Sequence, residues 1–234
     1  MRILLISDLH ANLEALRSLP TDYDELWVLG DLVNYGPDPA ATIEFVRSHA
    51  STVIRGNHDN AIGYGSDYRC SPRFRRMAEA MGSYTTAVLS TDHKRYLREL
   101  PTCACRQLGA QIFFLCHATP SDLLYEYRPP DSPLWRHDEE ASSGADTILV
   151  GHTHLPFLHT FGPRTVVNPG SLGQSKAGDS RARYAVWQDG RFSLEAFDYS
   201  VEETIQKLEA VPLASDVRGD LIEVLRTGRV SART

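Results

Sequence analysis

The apolar runs of this chain end repeatedly in residues that can bind metal ions. Five of them stop at a segment containing Asp, Asn or His: SDLH at 7–10, GD at 30–31, GNHD at 56–59, H at 117 and GHTH at 151–154. In α/β proteins the carboxyl ends of the strands gather in one crevice, where ligands bind. The pattern therefore predicts that these polar side chains lie close together.

Each polar segment taken alone has an ordinary explanation. Asp8 and His10 are of types common in turns and caps, and a lone buried His117 is more often a hydrogen-bonded histidine than a ligand. Two imidazoles beside an apolar strand, as at His152 and His154, are less common. An incidental origin would require several unrelated polar groups to end apolar strands in the same way, so we favour a metal centre.

The order of the apolar runs predicts an α/β fold. Strands are expected at 1–7, 25–29 and 52–55, with helical periodicity at 13–19 and 39–49 between them. This alternation favours a sheet with crossover helices.

The remainder of the chain is predicted from the same periodicities and from turn residues. Gly63 and Gly65 indicate a loop, and 119–134 is expected to be irregular. Helices are expected at 73–89 and 91–100, strands at 112–116, 146–150 and 164–167, a hairpin at 183–198, and C-terminal helices at 200–226. We expect a single domain over 1–234, in which a helical and loop insertion at 60–140 walls the site.

Composition restricts the class of protein. Apolar residues make up 42% and charged residues 23%, which is typical of a soluble globular protein. The early apolar run at 3–6 is too short to cross a membrane, and the four cysteines show no zinc-site spacing, so we expect a reducing, cytoplasmic location. The net charge of −6 argues against an extended nucleic-acid surface.

The motifs together resemble those of the calcineurin-like metallophosphoesterases. The resemblance rests on SDLHAN, LGDLVNYGP, RGNHD, the histidine in LCHATP, and GHTHLPF, which occur in the family's order between residues 7 and 157. VNPGSLGQ at 167–174 extends it towards small bacterial phosphodiesterase-like members. The resemblance implies a four-layer α/β/β/α sandwich of two mixed β-sheets flanked by helices.

The resemblance also implies a ligand set for two metal ions. One ion would be held by Asp8, His10, Asp31 and His154, and the other by Asp31, Asn57, His117 and His152. Asp31 would be shared, because a carboxylate with two oxygens can bridge two cations. Mixed imidazole and oxygen ligands favour transition metals, namely Mn, Fe, Zn, Co or Ni, over Ca or Mg; Mn or Fe is our expectation.

A mechanism follows from the implied metal pair. A hydroxide held between the ions would attack phosphorus in line with the leaving oxygen. His58 follows the ligand Asn57, and we assign it to contact with the transition state and to protonation of the leaving group. Asp59 has two readings that the sequence leaves open: it orients the His58 ring, or it caps a helix.

Two classes of function remain to be separated. The first is a metal-dependent phosphoric ester hydrolase acting on a small, nucleotide-like phosphate ester, with a phosphodiesterase favoured. Its alternatives are a phosphomonoesterase, a protein-phosphatase-like enzyme and a dinucleoside polyphosphate hydrolase. The second class is a non-catalytic scaffold on the same fold, which predicts eroded ligands, whereas every ligand position here is filled. We expect no membrane partner, and the sequence leaves oligomerisation open.

Several other polar and aromatic residues carry weaker signals. The histidines outside the motifs are more simply surface or capping residues: His49, His93, His137 and His159. The basic cluster Arg69, Arg73, Arg75 and Arg76 is expected to be a solvated helix face, with an anion-binding role as the alternative. Tyr35 and Tyr64 are expected to pack rather than to stack on substrate.

Overall fold

The first three apolar runs form the parallel part of one sheet. The computed structural model describes residues 1–138 and 141–229, with only the backbone of Arg73. In it, β1 (Arg2–Ile6) pairs in parallel with β2 (Glu25–Val28), and β2 pairs with β3 (Thr52–Val53). The predicted hairpin, β9 (Ala182–Gln188) and β10 (Arg191–Phe197), adds to the other side of β1 in the order β10-β9-β1-β2-β3.

A second five-stranded sheet is built from the later runs. Its parallel centre consists of β5 (Gln111–Cys116), β6 (Thr147–Leu149) and β8 (Arg164–Asn168). Two antiparallel edge strands that we did not predict complete it: β4 (Cys103–Leu108) beside β5, and β7 (Phe157–Phe161) beside β8. The order is β4-β5-β6-β8-β7. Both sheets are therefore mixed.

Helices lie on the outside of the sheets. They are α1 (Leu13–Arg17), α2 (Pro39–His49), α3 (Asn57–Tyr64), α4 (Pro72–Val88), α5 (Thr91–Glu99), a 3₁₀ turn (Pro133–His137), α6 (Val201–Glu209) and α7 (Ser215–Thr227). All but α3 and the 3₁₀ turn were predicted; the loop expected from Gly63 is instead the end of α3, and Gly65 caps it with φ 68°. No helix in the described part of the chain has the length and apolarity that a membrane crossing requires.

The two sheets pack face to face. Leu5 and Trp27 from the first sheet meet Phe113 and Leu115 from the second, and all four side chains are at most 1% exposed. The rings of Trp27 and Phe113 are 5.5 Å apart, edge to face. The opposite face of the first sheet is covered by α1, α2 and α5. Two mixed sheets flanked by helices confirm the predicted α/β architecture.

This packing fixes where the functional segments lie. β1 and β2 are parallel neighbours in one sheet, as β5 and β6 are in the other, so each pair ends at a common edge. The segments that follow are joined by backbone hydrogen bonds, from Asp8 N to Gly30 O (3.0 Å) and from Gly151 N to His117 O (2.8 Å). The carboxyl ends of both parallel pairs consequently supply the same crevice.

Candidate metal centre

Seven polar side chains after the strands lie together at this edge, almost without contact with solvent. They are Asp8, His10, Asp31, Asn57, His117, His152 and His154, and none is more than 2% exposed. Charged and polar groups this deeply buried require partners. Their arrangement falls into two groups of ligand atoms.

The first group joins the end of β1 to the loop after β6. Asp8 Oδ1 lies 3.3 Å from His154 Nε2 and 3.9 Å from His10 Nε2. The two histidine nitrogens are 3.1 Å apart. Ligand atoms of these three residues all lie within 4.8 Å of one another, a spacing that one metal ion can span.

The second group joins the start of α3 to the ends of β5 and β6. Asn57 Oδ1 lies 3.1 Å from both His117 Nε2 and His152 Nδ1. Asn57 Nδ2 donates to Tyr68 O (2.8 Å), which leaves the amide oxygen facing the histidines. This group offers one oxygen and two nitrogens to a second ion.

Asp31 connects the two groups through a single oxygen atom. Its Oδ2 lies 3.7 Å from His10 Nε2 and 3.3 Å from His117 Nε2. Its Oδ1 instead accepts a hydrogen bond from the backbone N–H of His58 (2.8 Å). The sequence predicts one carboxylate oxygen for each ion, whereas in the structure Oδ2 faces both groups and Oδ1 is held by the hydrogen bond from His58 N.

The hydrogen-bond partners of the four histidines indicate which nitrogens are free to bind metal. His10, His117 and His154 each donate Nδ1–H to a carbonyl, of Val33 (3.2 Å), Leu29 (2.7 Å) and Gln174 (2.6 Å) respectively. His152 uses its other nitrogen, donating Nε2–H to Tyr125 O (3.2 Å). In each neutral ring the opposite nitrogen carries a lone pair, and that nitrogen faces the cluster, as in metal-binding histidines.

The resulting cluster contains many hydrogen-bond acceptors and few donors. His10 Nε2 and His154 Nε2 face each other as two lone pairs, which cannot hydrogen-bond without a further proton. Asp8 Oδ1 is buried with no hydrogen-bond partner, while Asp8 Oδ2 accepts from His152 N (3.1 Å). Cations would satisfy these atoms, so the residues fit a metal pair.

The electrostatics of the cluster favour the same ligand states. Burial lowers the pKa of His152 to about 3, and burial also lowers the pKa values of His10 and His154, so these imidazoles are neutral at neutral pH. For His117 burial acts in the same direction, but the charges of Asp31 and Asp8 together with the hydrogen bonds to Asp31 and to Leu29 O raise the pKa to about 9. Metal binding displaces such protons from ligand nitrogens.

The backbone at the site is held in an unusual conformation. Asp8, His10, Asp31, His152 and His154 all have positive φ, between 46° and 64°. This left-handed region is uncommon for residues other than glycine, and such strain concentrates at functional sites. The strand-end loops thus turn sharply enough to direct these side chains into the crevice.

Two glycines allow the loops to approach one another. A Cβ at Gly56 would lie 2.1 Å from Asp31 Oδ1, and one at Gly151 would lie 1.9 Å from Ser7 Oγ. Neither contact is sterically allowed, so any side chain at these positions would displace the loops that carry Asp31 and His152.

His58 lies beside the metal ligands, but Asp59 does not orient it. Asp59 Oδ1 accepts from the backbone N–H groups of Leu32 (2.8 Å) and Val33 (3.3 Å), and its Oδ2 accepts from Gly56 N (2.9 Å). Of the two readings left open by the sequence, these bonds favour the helix cap, and the proposed orientation of His58 by Asp59 is corrected.

Asn34 hydrogen-bonds to the His58 ring, a contact that the sequence did not predict. Asn34 Oδ1 accepts from Tyr35 N (2.8 Å), so its Nδ2 is the donor, to Ala78 O (3.1 Å) and to His58 Nδ1 (2.9 Å). His58 Nδ1 must then accept, and its proton resides on Nε2. Asn34 is part of the LGDLVNYGP motif, but the motif does not reveal its partner.

The histidines, tyrosines and arginines with weaker sequence signals lie outside the two groups of candidate ligands. The four remaining histidines are partly or fully exposed. Tyr64 is 56% exposed, whereas Tyr35 is buried and its ring packs 4.8 Å from that of His10. In the basic cluster, Arg75 and Arg76 pair with Asp67 and Asp216, which fits a solvated face. Arg69 stacks on Tyr125, and the Arg73 side chain lies outside the described residues.

Comparisons with known proteins match most of this chain to one family. The family model described as the calcineurin-like phosphoesterase superfamily domain matches residues 1–188. A metallophosphoesterase from Sphaerobacter thermophilus, known from its crystal structure, has a TM-score of 0.79 and 29% identity, covering 94% of this chain and 98% of that one.

Two curated relatives add sequence similarity. An uncharacterised protein of Methanocaldococcus jannaschii is 27% identical over 231 residues, covering 88% of this chain and 91% of that protein. A shorter match, 39% identical over 67 residues, involves the symmetrical bis(5′-nucleosyl)-tetraphosphatase of Ectopseudomonas mendocina and covers 25% of each protein.

Proposed function

The chain belongs to the calcineurin-like phosphoesterase superfamily, and on that premise we propose that it hydrolyses a phosphate ester with two bound metal ions. The observation that carries the proposal is the position of Asp31 Oδ2, between a His10–His154 group and an Asn57–His117–His152 group. Ligands on both sides of one carboxylate oxygen are the arrangement that a metal pair needs.

We assign the ligands as the sequence argument did. Asp8, His10, Asp31 and His154 would hold one ion, and Asp31, Asn57, His117 and His152 the other. The four imidazoles suit Zn, Fe or Ni, and the carboxylate and amide oxygens suit Mn; we favour Mn or Fe. When bound, the ions would lower the pKa of a water molecule and neutralise charge on the phosphoryl group.

His58 contributes a hydrogen-bond donor to the reaction. Because Asn34 Nδ2 occupies its Nδ1, the neutral ring presents Nε2–H. Burial lowers the pKa of His58 to about 4, so the ring is neutral at neutral pH. We therefore assign His58 to donation of a hydrogen bond to a phosphoryl or leaving-group oxygen as charge develops there.

Contacts of two tyrosines from 60–140 support the proposal that this segment walls the site. The Tyr127 ring lies 4.0 Å from that of His152, and the Tyr68 ring lies 5.1 Å from that of His58. Both belong to loops that also hold ligands, through Tyr125 O on His152 and Tyr68 O on Asn57. Aromatic walls suit a substrate with a flat organic group, and we favour a phosphodiester of nucleotide type.

A second candidate substrate is a dinucleoside polyphosphate. The match to a symmetrical bis(5′-nucleosyl)-tetraphosphatase supports it, although it spans 25% of this chain. Both substrates use the same metal ligands, so the walls of the pocket must distinguish them. The scaffold alternative is disfavoured because all seven ligand positions are occupied by competent side chains.

The test is a metal-resolved activity panel. Protein stripped of metal and reloaded separately with Mn, Fe, Zn, Co or Ni is assayed on a bis-aryl phosphate, an aryl monophosphate, 2′,3′- and 3′,5′-cyclic nucleotides and a dinucleoside tetraphosphate. We expect metal-dependent turnover of the diesters above the monoester. Absence of turnover with every metal and substrate would contradict the hydrolase assignment.

We also propose a cytoplasmic location. All four cysteines are free thiols in the structure, which fits a reducing compartment. Fractionation of the native cells tests this.

A further inference from the structure

Lys176 lies in the loop between β8 and β9, and that loop is bonded directly to the metal centre. Ser171 Oγ donates to Asp8 O (2.7 Å), and Gln174 O accepts from His154 Nδ1 (2.6 Å). A further bond from Gln174 N to Ser171 Oγ (2.8 Å) closes the loop on itself. The backbone two residues before Lys176 is thus fixed relative to both ligands.

The ammonium group of Lys176 rests on an aromatic ring beside the site. Its Nζ lies 4.2 Å from the centre of the Phe74 ring. Phe74 packs against Tyr35, with ring centres 6.4 Å apart, and the Tyr35 ring is 4.8 Å from that of His58. Lys176 is half-buried. The rings of Phe74 and Tyr35 thus connect Lys176 to His58, the proposed hydrogen-bond donor.

No carboxylate neutralises this cation within the described part of the chain. By contrast, Lys207 forms ion pairs with Glu14 and with Asp38 (2.8 Å). A cation–π contact contributes on the order of 0.5–2 kcal/mol, which is modest beside the cost of removing an ammonium group from water. A half-buried lysine that has no anionic partner among the described residues is suited to bind an anionic ligand.

The charge of Lys176 interacts electrostatically with the candidate metal ligands. Burial lowers the pKa of Lys176 to about 8, against the opposing effect of Asp8 and Asp31. The charge of Lys176 in turn contributes to the lowered pKa values of His58, His152 and His154. Two bound divalent ions would outweigh the two carboxylates, so Lys176 would then face net positive charge. An anion between them would relieve this repulsion.

We propose that Lys176 binds the phosphate group of the substrate, donating a hydrogen bond to a non-bridging oxygen while Phe74 holds its ammonium group in place. The inference deepens the proposed function, on which it rests, by adding a cation of the chain itself to the substrate site. Lys176 thereby helps to position the phosphate.

The direct test is binding of inorganic phosphate, the expected product, which needs no turnover. Metal-loaded wild type and Lys176→Met are titrated with phosphate in a calorimeter, and metal content is measured in parallel. Loss of a charge-assisted hydrogen bond should weaken phosphate binding and raise KM about 10- to 100-fold. The matched control, Lys94→Met, removes a lysine charge from α5 and should leave both values unchanged.

Two further variants separate charge from loop structure. Lys176→Arg keeps the charge and should retain most of the phosphate affinity. Phe74→Leu keeps Lys176 but removes the aromatic ring beneath its ammonium group, so it should weaken phosphate binding by a smaller factor than Lys176→Met does. Unchanged phosphate affinity in Lys176→Met, or loss of metal from it, would overturn the assignment. Wild-type protein that neither binds phosphate nor turns over any ester would instead refute the proposed function.

Discussion

At the scale of single residues, the centre depends on how its atoms are already occupied. Each of the four candidate ligand histidines gives one N–H to a backbone carbonyl and directs its other ring nitrogen to the cluster. Asp31 is held at Oδ1 and presents Oδ2. Because these partners are main-chain atoms, the ligand orientations are fixed by the fold before any metal binds.

Asp31→Asn should cost more metal than any single histidine substitution. The amide can retain one oxygen but loses the charge that offsets two cations. We expect less than half of the wild-type metal content, and a loss of activity of at least 100-fold. Elemental analysis of purified Asp31→Asn beside His154→Ala measures this, and wild-type metal content in Asp31→Asn would refute the shared role.

His58→Ala should retain both metals and lose turnover. Removing one hydrogen-bond donor to developing charge costs about 10²- to 10³-fold in kcat. Asn34→Leu should also lower kcat, but by a smaller factor, because His58 then loses the hydrogen bond that keeps its proton on Nε2. Metal content and kcat are measured for both variants; an unchanged kcat in His58→Ala would remove its role.

The clustering of the candidate ligands could be predicted from sequence, but their hydrogen-bond partners could not. Asp8, Asp31, Asn57 and the histidines follow apolar runs, and a strand end leaves a local trace in the sequence. Asn34 contacts His58, which is 24 residues away in the sequence, and Lys176 contacts Phe74, which is about 100 residues away. Contacts of that kind leave no local pattern, so only the folded chain shows them.

At the scale of secondary-structure elements, the strands that the sequence did not predict have weak hydrophobic periodicity. β4 reads CACRQL and is at best half-buried, and β7 at the opposite edge reads FLHTF with three exposed residues, so neither shows clean alternation. In α3, Gly63 indicated a turn, yet it packs under Arg98, whose Cγ would lie 3.1 Å from an added Cβ. Close helix packing, rather than a turn, accounts for that glycine.

The cap on α3 gives a test of what Asp59 does. Its carboxylate satisfies three buried N–H groups, of Leu32, Val33 and Gly56. Asp59→Ala leaves them unpaired and should lower the free energy of unfolding by about 2–4 kcal/mol. Turnover per metal-loaded molecule should change less than 5-fold.

Denaturant titration and kinetics on the same samples separate the two roles of Asp59. Asp59→Asn, which keeps one acceptor oxygen, should lie between wild type and Asp59→Ala in stability. A variant that is as stable as wild type but inactive would restore the catalytic reading.

At the scale of the whole molecule, the candidate metal centre lies where the two sheets meet. Asp8, Asp31 and Asn57 follow strands of the first sheet, whereas His117 and His152 follow strands of the second. Bound ions would therefore cross-link the sheets at one edge, in addition to the apolar packing between Trp27 and Phe113.

Metal removal should consequently lower thermal stability. A ligand present at 100 times its Kd stabilises the folded state by about 2.7 kcal/mol per site. For a chain of this size each kcal/mol shifts Tm by about 2–4 °C, so chelation should lower Tm by at least 5 °C. Calorimetric scans before and after chelation, followed by re-addition of Mn, measure the shift; an unchanged Tm would show that the ions do not tie the sheets together.

The most direct test of the account is anomalous diffraction from crystals of the Mn-loaded protein. The account predicts two peaks about 3.5–4 Å apart. One should lie among Asp8, His10 and His154, the other among Asn57, His117 and His152, with Asp31 in contact with both. A single peak, or peaks away from these seven side chains, would contradict it.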